Sequence, residues 1–359
     1  MSEFDAAERA VQAALDAGAT YADARVMRRR HESMSARNGE IESITDTADA
    51  GIGVRALQGS GWGFFATPDL DDAGLRRAGE FAAETARASA VVSRDGVPMI
   101  PSEPVAGSWA NVHEIDAFDV SLSEKGDLLV RCTDVVREHG ADVATGSYRI
   151  WDTEKWFVSS EGHRIDQHVR EAGAGIVGIA IGDGETQVRS YPAARGQYAT
   201  AGWEFVEGLE LEQHAARVGA ESRELLSAPP CPSGETTLIL GSEQLALQIH
   251  ESVGHAIELD RILGWEAAYA GTSWLDLSQL GSLRYGSDLM NITIDPTIPG
   301  ALGSFGFDDE GTPAASRPAV RDGIWVGVLA GRDSKPLSPG STTAAACAPT
   351  AGRGCQWCA

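Results

Sequence analysis

The sequence predicts an α+β protein with a small N-terminal α+β domain, a central α+β domain, and a mostly-β C-terminal domain carrying one metal-binding helix. Three observations carry this. Two stretches with a helix–strands–helix pattern follow one another, over 1–92 and 105–228. Each ends in a Pro- and Ser-containing segment that reads as a linker, 91–106 and 228–234. In the third stretch, 234–334, a single helical pattern stands before Gly-rich, strand-like sequence, and it contains His250-Glu-Ser-Val-Gly-His255.

Residues 4–17 have a helical period that stops at Gly18. From Tyr21 the period becomes that of strands, clearest at 23–29, 39–47 and 51–67, the last a hairpin with its turn at 58–61. The basic run 27–30 reads as a solvated strand end rather than an anion site. A second helix starts near Pro68, whose fixed φ suits a first turn, and is expected to end near Ala88. A third helix spans 121–138 and stops at Gly140. Strands are expected at 147–152, 155–159, 163–167, 172–181 and 186–191, and 204–227 reads as one long helix. His163 and His168 lie on a strand pattern without a following Glu and read as incidental.

In the third domain a strand is expected at 235–240, followed by a helix with Ser242 as N-cap and Leu245, Ala246, Ile249 and Val253 on its apolar face. A strand at 291–295 stopped by Pro296, an acidic turn at Gly306-Phe-Asp-Asp-Glu-Gly-Thr-Pro313, and a hairpin at 320–328 complete it.

The chemistry is concentrated in His250, Glu251 and His255. Two histidines and a glutamate supply metal ligands and a general base for a metal-activated water. In the common H-E-x-x-H arrangement the histidines stand about 40° apart on a helix. Here the five-residue separation gives roughly 500° of rotation and leaves the rings about 140° apart. They reach one ion only if the helix is distorted by a π-bulge or a kink, and Gly254 is where distortion should cost least. An irregular helix is therefore expected at 251–255. Glu258 and Asp260 are candidates to orient a His ring from the second sphere. A helix with two incidental histidines is the plainer alternative.

The formal charge of −23 argues against nucleic acid and anionic membrane as partners. No apolar run approaches the roughly 18 residues of a membrane span. The N-terminal residues show no basic and apolar leader, and five Cys suggest no disulfide framework, so a cytoplasmic location is expected.

Gly51-Ile-Gly-Val-Arg55 with Trp62-Gly-Phe64, Phe157-Val-Ser-Ser-Glu-Gly162, the His250–Glu258 stretch and Phe307-Asp-Asp-Glu-Gly-Thr-Pro313 together resemble the TldD/PmbA family of metalloproteases, of TldD type. The last two are the specific ones. The resemblance implies a metal-dependent peptidase, generally a zinc enzyme, acting on peptides or unfolded proteins. It implies a homodimer or a heterodimer with a PmbA-type subunit. Carried over residue by residue, it makes His250 and His255 the metal ligands and Glu251 the general base. The alternative is a non-catalytic partner subunit of such a complex.

The family's third ligand is a Cys in a C-terminal segment that has no counterpart here. After Ser334 the resemblance stops, and 335–359, with Cys347, Cys355 and Cys358, reads as an aberrant, disordered tail. One GC-rich back-translation of 345–359, read in another frame, gives a family-like string. A frameshift near 334–343 with C-terminal truncation is therefore expected, and Cys355-x-x-Cys358 needs no redox or metal role. A catalytic zinc normally takes three protein ligands, so two histidines alone would leave this chain short of one.

Overall fold

The protein is described by a computed structural model covering residues 1–93, 99–182, 184–194 and 196–334. The expected tail, with Cys347, Cys355 and Cys358, lies outside the described residues.

Helix α1 (Glu3–Asp16) opens on a capping box, in which Ser2 Oγ accepts the Asp5 N–H and the Asp5 carboxylate accepts the Ser2 N–H. It is followed by β1 (Tyr21–Arg37), β2 (Glu40–Gln58), β3 (Gly61–Thr67) and α2 (Asp72–Val92). The central stretch adds β4 (Ala106–Ala110), α3 (Leu122–Glu138), β5 (Val143–Ser159), β6 (Arg164–Gly182), β7 (Glu185–Tyr191), β8 (Gln197–Ala199), α4 (Trp203–Gly208) and α5 (Leu211–Glu224).

One sheet runs through both stretches in the order β3-β2-β1-β5-β6-β4, with β7 and β8 also paired to β6. The join is β1, which pairs antiparallel with β2 on one side and, from Asp23 to Arg37, with β5 on the other. Successive side chains of a strand alternate between faces. Ala22, Ala24, Val26, Met34 and Ala36 therefore share one face of β1: the first three sit in an apolar cluster with α1 and α2, and the last two, further along the strand, sit in a second with α3 and α5. The first core is built almost wholly of Ala, Val, Ile and Leu, so backbones lie close. A Cβ on Gly63 would stand 2.0 Å from the Ala82 carbonyl oxygen of α2, so no side chain fits there. The second core encloses an ion pair, Lys125 Nζ to Glu32 Oε1 at 2.7 Å, with Tyr148 donating to the same oxygen at 2.8 Å. It fastens β1 to α3.

The expected strands at 39–47 and 51–57 are one strand, β2, and those at 147–152 and 155–159 are one strand, β5. Continuous pairing against β1 carries both across residues that read as turns. The long helix expected at 204–227 breaks at Glu210, whose φ is +50°. The result is the short α4 and the longer α5. Residues 235–240 form no strand, and 235–239 are exposed, because no neighbouring strand among the described residues offers them a ladder.

The third stretch contains α6 (Ser242–Ile249), a short α7 (Leu259–Ile262), and a three-stranded sheet of β9 (Ile292–Ile294), β10 (Arg317–Arg321) and β11 (Ile324–Trp325). Its core gathers Val253, Ile257, Leu275, Ala319 and Val320 around the fully buried Trp325. Most of the remaining chain is turns. No helix among the described residues is long and apolar enough to cross a membrane.

Candidate metal centre

Helix α6 begins after Gly241, not after Ser242, and Ser242 makes no capping hydrogen bond. Of its expected apolar face only Val253 is buried, while Leu245 and Ile249 are exposed. The helix is therefore anchored at its C-terminal end, where the ligand motif lies. There the backbone widens into a π-turn over His250–Gly254 and then tightens into a 3₁₀ turn over His255–Ile257. The His255 N–H donates to the His250 carbonyl, an i→i+5 bond. Inserting this wider turn removes the angular mismatch of a five-residue spacing. The two imidazole rings come within 4.4 Å, centre to centre, at 79° to each other. One ligand atom from each of His250, Glu251 and His255 lies within 4.8 Å of the other two.

The distortion makes no use of glycine's special freedom. Gly254 has φ −51° and ψ −62°, ordinary right-handed helix, and an added Cβ would meet nothing nearer than the Ile249 carbonyl at 3.8 Å. Gly254→Ala should therefore fold as well as the parent or gain about 0.4–1 kcal/mol from a less flexible unfolded chain. Urea denaturation checks this, and a loss beyond about 1 kcal/mol would show that the turn does need glycine.

Glu258 does what its position suggests: its Oε1 lies 2.9 Å from His255 Nδ1. A carboxylate only accepts, so Nδ1 carries the hydrogen and Nε2 presents its lone pair. Arg261 Nη2 also lies 3.1 Å from Nδ1, and its Nε pairs with Glu258. A guanidinium only donates, so the hydrogen on Nδ1 goes to Glu258 and not to Arg261, whose ion pair with the other Glu258 oxygen holds that carboxylate in place. Arg261 carried no signal in the sequence beyond its closeness to the motif. Asp260 plays a different part, with Oδ1 accepting the Arg261 backbone N–H at 2.9 Å.

The other expected candidates lie elsewhere. His163 Nδ1 accepts the Val105 N–H at 3.0 Å, and its burial lowers its pKa. His168 pairs with Asp152. Neither joins the metal cluster, nor do Cys132 and Cys231, the described cysteines.

The acidic turn forms a plug between the third stretch and the sheet. Gln167 of β6 accepts the N–H groups of Gly306 and Phe307 at 3.0 and 2.9 Å and donates to the Phe307 carbonyl at 2.8 Å. Asp309 meets Lys155 at 2.6 Å, Glu310 meets Arg55 at 3.1 Å, and the Asp309 carbonyl receives Arg25. Asp308 folds the turn itself, accepting the N–H groups of Glu310 and Thr312 at 2.8 Å each.

A mixed sheet with helices on one side is joined to a smaller unit that bears two histidines and a glutamate on a distorted helix, a donor set able to hold a metal ion. Family models match along the chain: PmbA/TldA metallopeptidase domain 1 over 22–90, the central domain over 115–226 and the C-terminal domain over 233–351. The chain belongs to the PmbA/TldD family. The C-terminal match runs past Ser334, where resemblance was expected to stop.

Among relatives, "Metalloprotease MJ0996" of Methanocaldococcus jannaschii is 27% identical over 322 residues, covering 88% of this chain and 66% of that protein. "Metalloprotease TldD homolog" of Buchnera aphidicola from Acyrthosiphon pisum is 26% identical over 337 residues, covering 89% and 64%. The chain thus spans about two thirds of the length of the curated relatives it matches. In fold it is similar to a Thermotoga maritima protein titled as a candidate modulator of a DNA gyrase, with TM-score 0.67, 19% identity, and 93% and 72% of the two chains covered. It is also similar to TldE of Thermococcus kodakarensis, with TM-score 0.64, 16% identity, and 90% and 69% covered.

Proposed function

We propose that this chain is the TldD-type subunit of a metal-dependent peptidase acting on peptides or unfolded proteins, with zinc as the metal. His250 and His255 are the ligands and Glu251 is the base. The observation that carries this is the convergence of three donor atoms within 4.8 Å across a spacing that a regular helix would splay apart. Their chemistry fits a borderline-soft divalent cation, with imidazole nitrogens and a carboxylate.

When bound, such a metal polarises the scissile carbonyl and acidifies a water. Glu251 takes the proton from the water that attacks the carbonyl and delivers it to the leaving amine. Glu258 holds the His255 ring so that Nε2 faces the site. In the family the third ligand is a Cys from a C-terminal segment. Among the described residues Cys132 and Cys231 lie outside the cluster. The second reading is a non-catalytic partner or regulatory subunit of a TldD/PmbA-type complex; under the peptidase reading the chain forms a homodimer or a heterodimer with a PmbA-type subunit. A cytoplasmic location follows from the same reading.

Metal analysis of the purified full chain separates the two. Stoichiometric zinc together with cleavage of an unfolded peptide, both lost in His250→Ala, is the expected result for the peptidase. Zinc no higher than in the variant would leave the partner role.

A further inference from the structure

The turn that brings His250 and His255 together changes its hydrogen-bond pattern twice, widening over His250–Gly254 and tightening over His255–Ile257. Such changes, and the helix end that follows, leave carbonyls that need donors from outside. Three outside donors are present. Ser273 Oγ donates to the Ala256 carbonyl at 2.6 Å, and the Leu329 N–H donates to the Ile257 carbonyl at 2.9 Å. Both act at the end of the segment, where any helix needs partners. The third is different. Tyr285 OH donates to the Ser252 carbonyl at 2.5 Å, inside the π-turn and between the two histidines.

In a regular α-helix the Ser252 carbonyl would be directed at the N–H of Ala256. A side chain gains that oxygen when the ladder is displaced, so the Tyr285 bond favours the distorted turn over the regular one. Tyr285 is itself held in place. Its N–H donates to the Gly323 carbonyl at 2.7 Å, in the β10–β11 turn, and its ring lies 5.1 Å from that of Trp274. Its partly buried ring packs against the Trp325 cluster. The hydroxyl is therefore presented from a fixed support.

We propose that Tyr285 is a positioning residue that holds the π-turn and so sets the approach of His250 to His255. The consequence for metal rests on the peptidase reading above; the consequence for the turn does not. Tyr285→Phe removes the hydroxyl and keeps the ring. Cobalt, used as a spectroscopic probe, should bind this variant about tenfold more weakly than the parent, as when an outer-sphere partner is lost. With metal absent, amide hydrogen exchange across 250–257 should quicken by roughly fivefold, the weight of one hydrogen bond. Trp274→Ala, which removes one of the ring's contacts and keeps the hydroxyl, should lose clearly less cobalt affinity than Tyr285→Phe.

Unchanged cobalt affinity in Tyr285→Phe would overturn the proposal, as would an equal loss in Trp274→Ala. If the parent binds cobalt no better than His250→Ala, the metal reading fails, and the exchange measurement alone decides. Unaltered protection of 250–257 would then end the Tyr285 proposal as well.

Discussion

Asp23→Ala should cost this protein about 3–5 kcal/mol, the range for removing one partner of a buried ion pair. Asp23 is fully buried, and its carboxylate takes Arg25 Nη1 at 2.8 Å, Arg55 Nη2 at 2.8 Å and the Tyr21 hydroxyl at 2.9 Å. Burial pushes its carboxyl pKa up, but Arg55 and Arg25 outweigh burial and the net shift is down. Without Asp23, two guanidinium groups face each other with their shared counter-ion gone. The same two arginines reach the acidic turn, Arg25 at the Asp309 carbonyl and Arg55 at Glu310. Glu310 also accepts the Arg332 N–H at 2.8 Å, and Arg332 pairs with Glu161 at 2.6 Å. The network thus ties β1 and β2 to the unit that carries the metal motif. Urea denaturation measures the loss. A change below about 1 kcal/mol would mean that Arg25 and Arg55 are served adequately by Asp309 and Glu310 alone.

This network also shows what could be read from residue order and what could not. The element types were legible because helix and strand periods are local. Their lengths were less so: β2 crosses Ala48-Asp-Ala50, which reads as a break, because pairing with β1 holds it extended. The five-residue spacing of His250 and His255 foretold a distorted helix by geometry alone. It did not foretell Tyr285, whose hydroxyl meets a backbone oxygen 33 residues away in sequence. Nor did the acidic turn disclose its task, since Arg25 is separated from Asp309 by 284 residues and no local pattern encodes that contact. Gly254 was noticed for the wrong reason, as its backbone is ordinary helix.

The acidic turn should also give the protein an unusual pH response, because its two aspartates are shifted in opposite directions. Burial raises the Asp308 carboxyl from 3.8 to about 6, only partly offset by the Thr312 and Glu310 N–H groups it accepts. Burial also raises Asp309, but Lys155 and Arg25 outweigh it and bring that carboxyl to about 2. A raised carboxyl holds a proton in the folded state that the unfolded chain has released. Asp308 thus contributes stability below the unfolded pKa near 4, and that contribution is lost as pH rises through about 6. The lowered Asp309 contributes stability above the unfolded pKa near 4, and that contribution is lost as pH falls through about 2. The Asp308 share is about 2–3 kcal/mol. Asp308→Asn keeps an acceptor for the Glu310 and Thr312 N–H groups and removes the titration. Urea denaturation of parent and variant between about pH 4 and pH 7 should show the parent losing this much relative to the variant, other groups cancelling in the difference. Parallel curves would mean that the Asp308 carboxyl titrates as it does in an unfolded chain. Its burial in the plug would then carry no electrostatic cost.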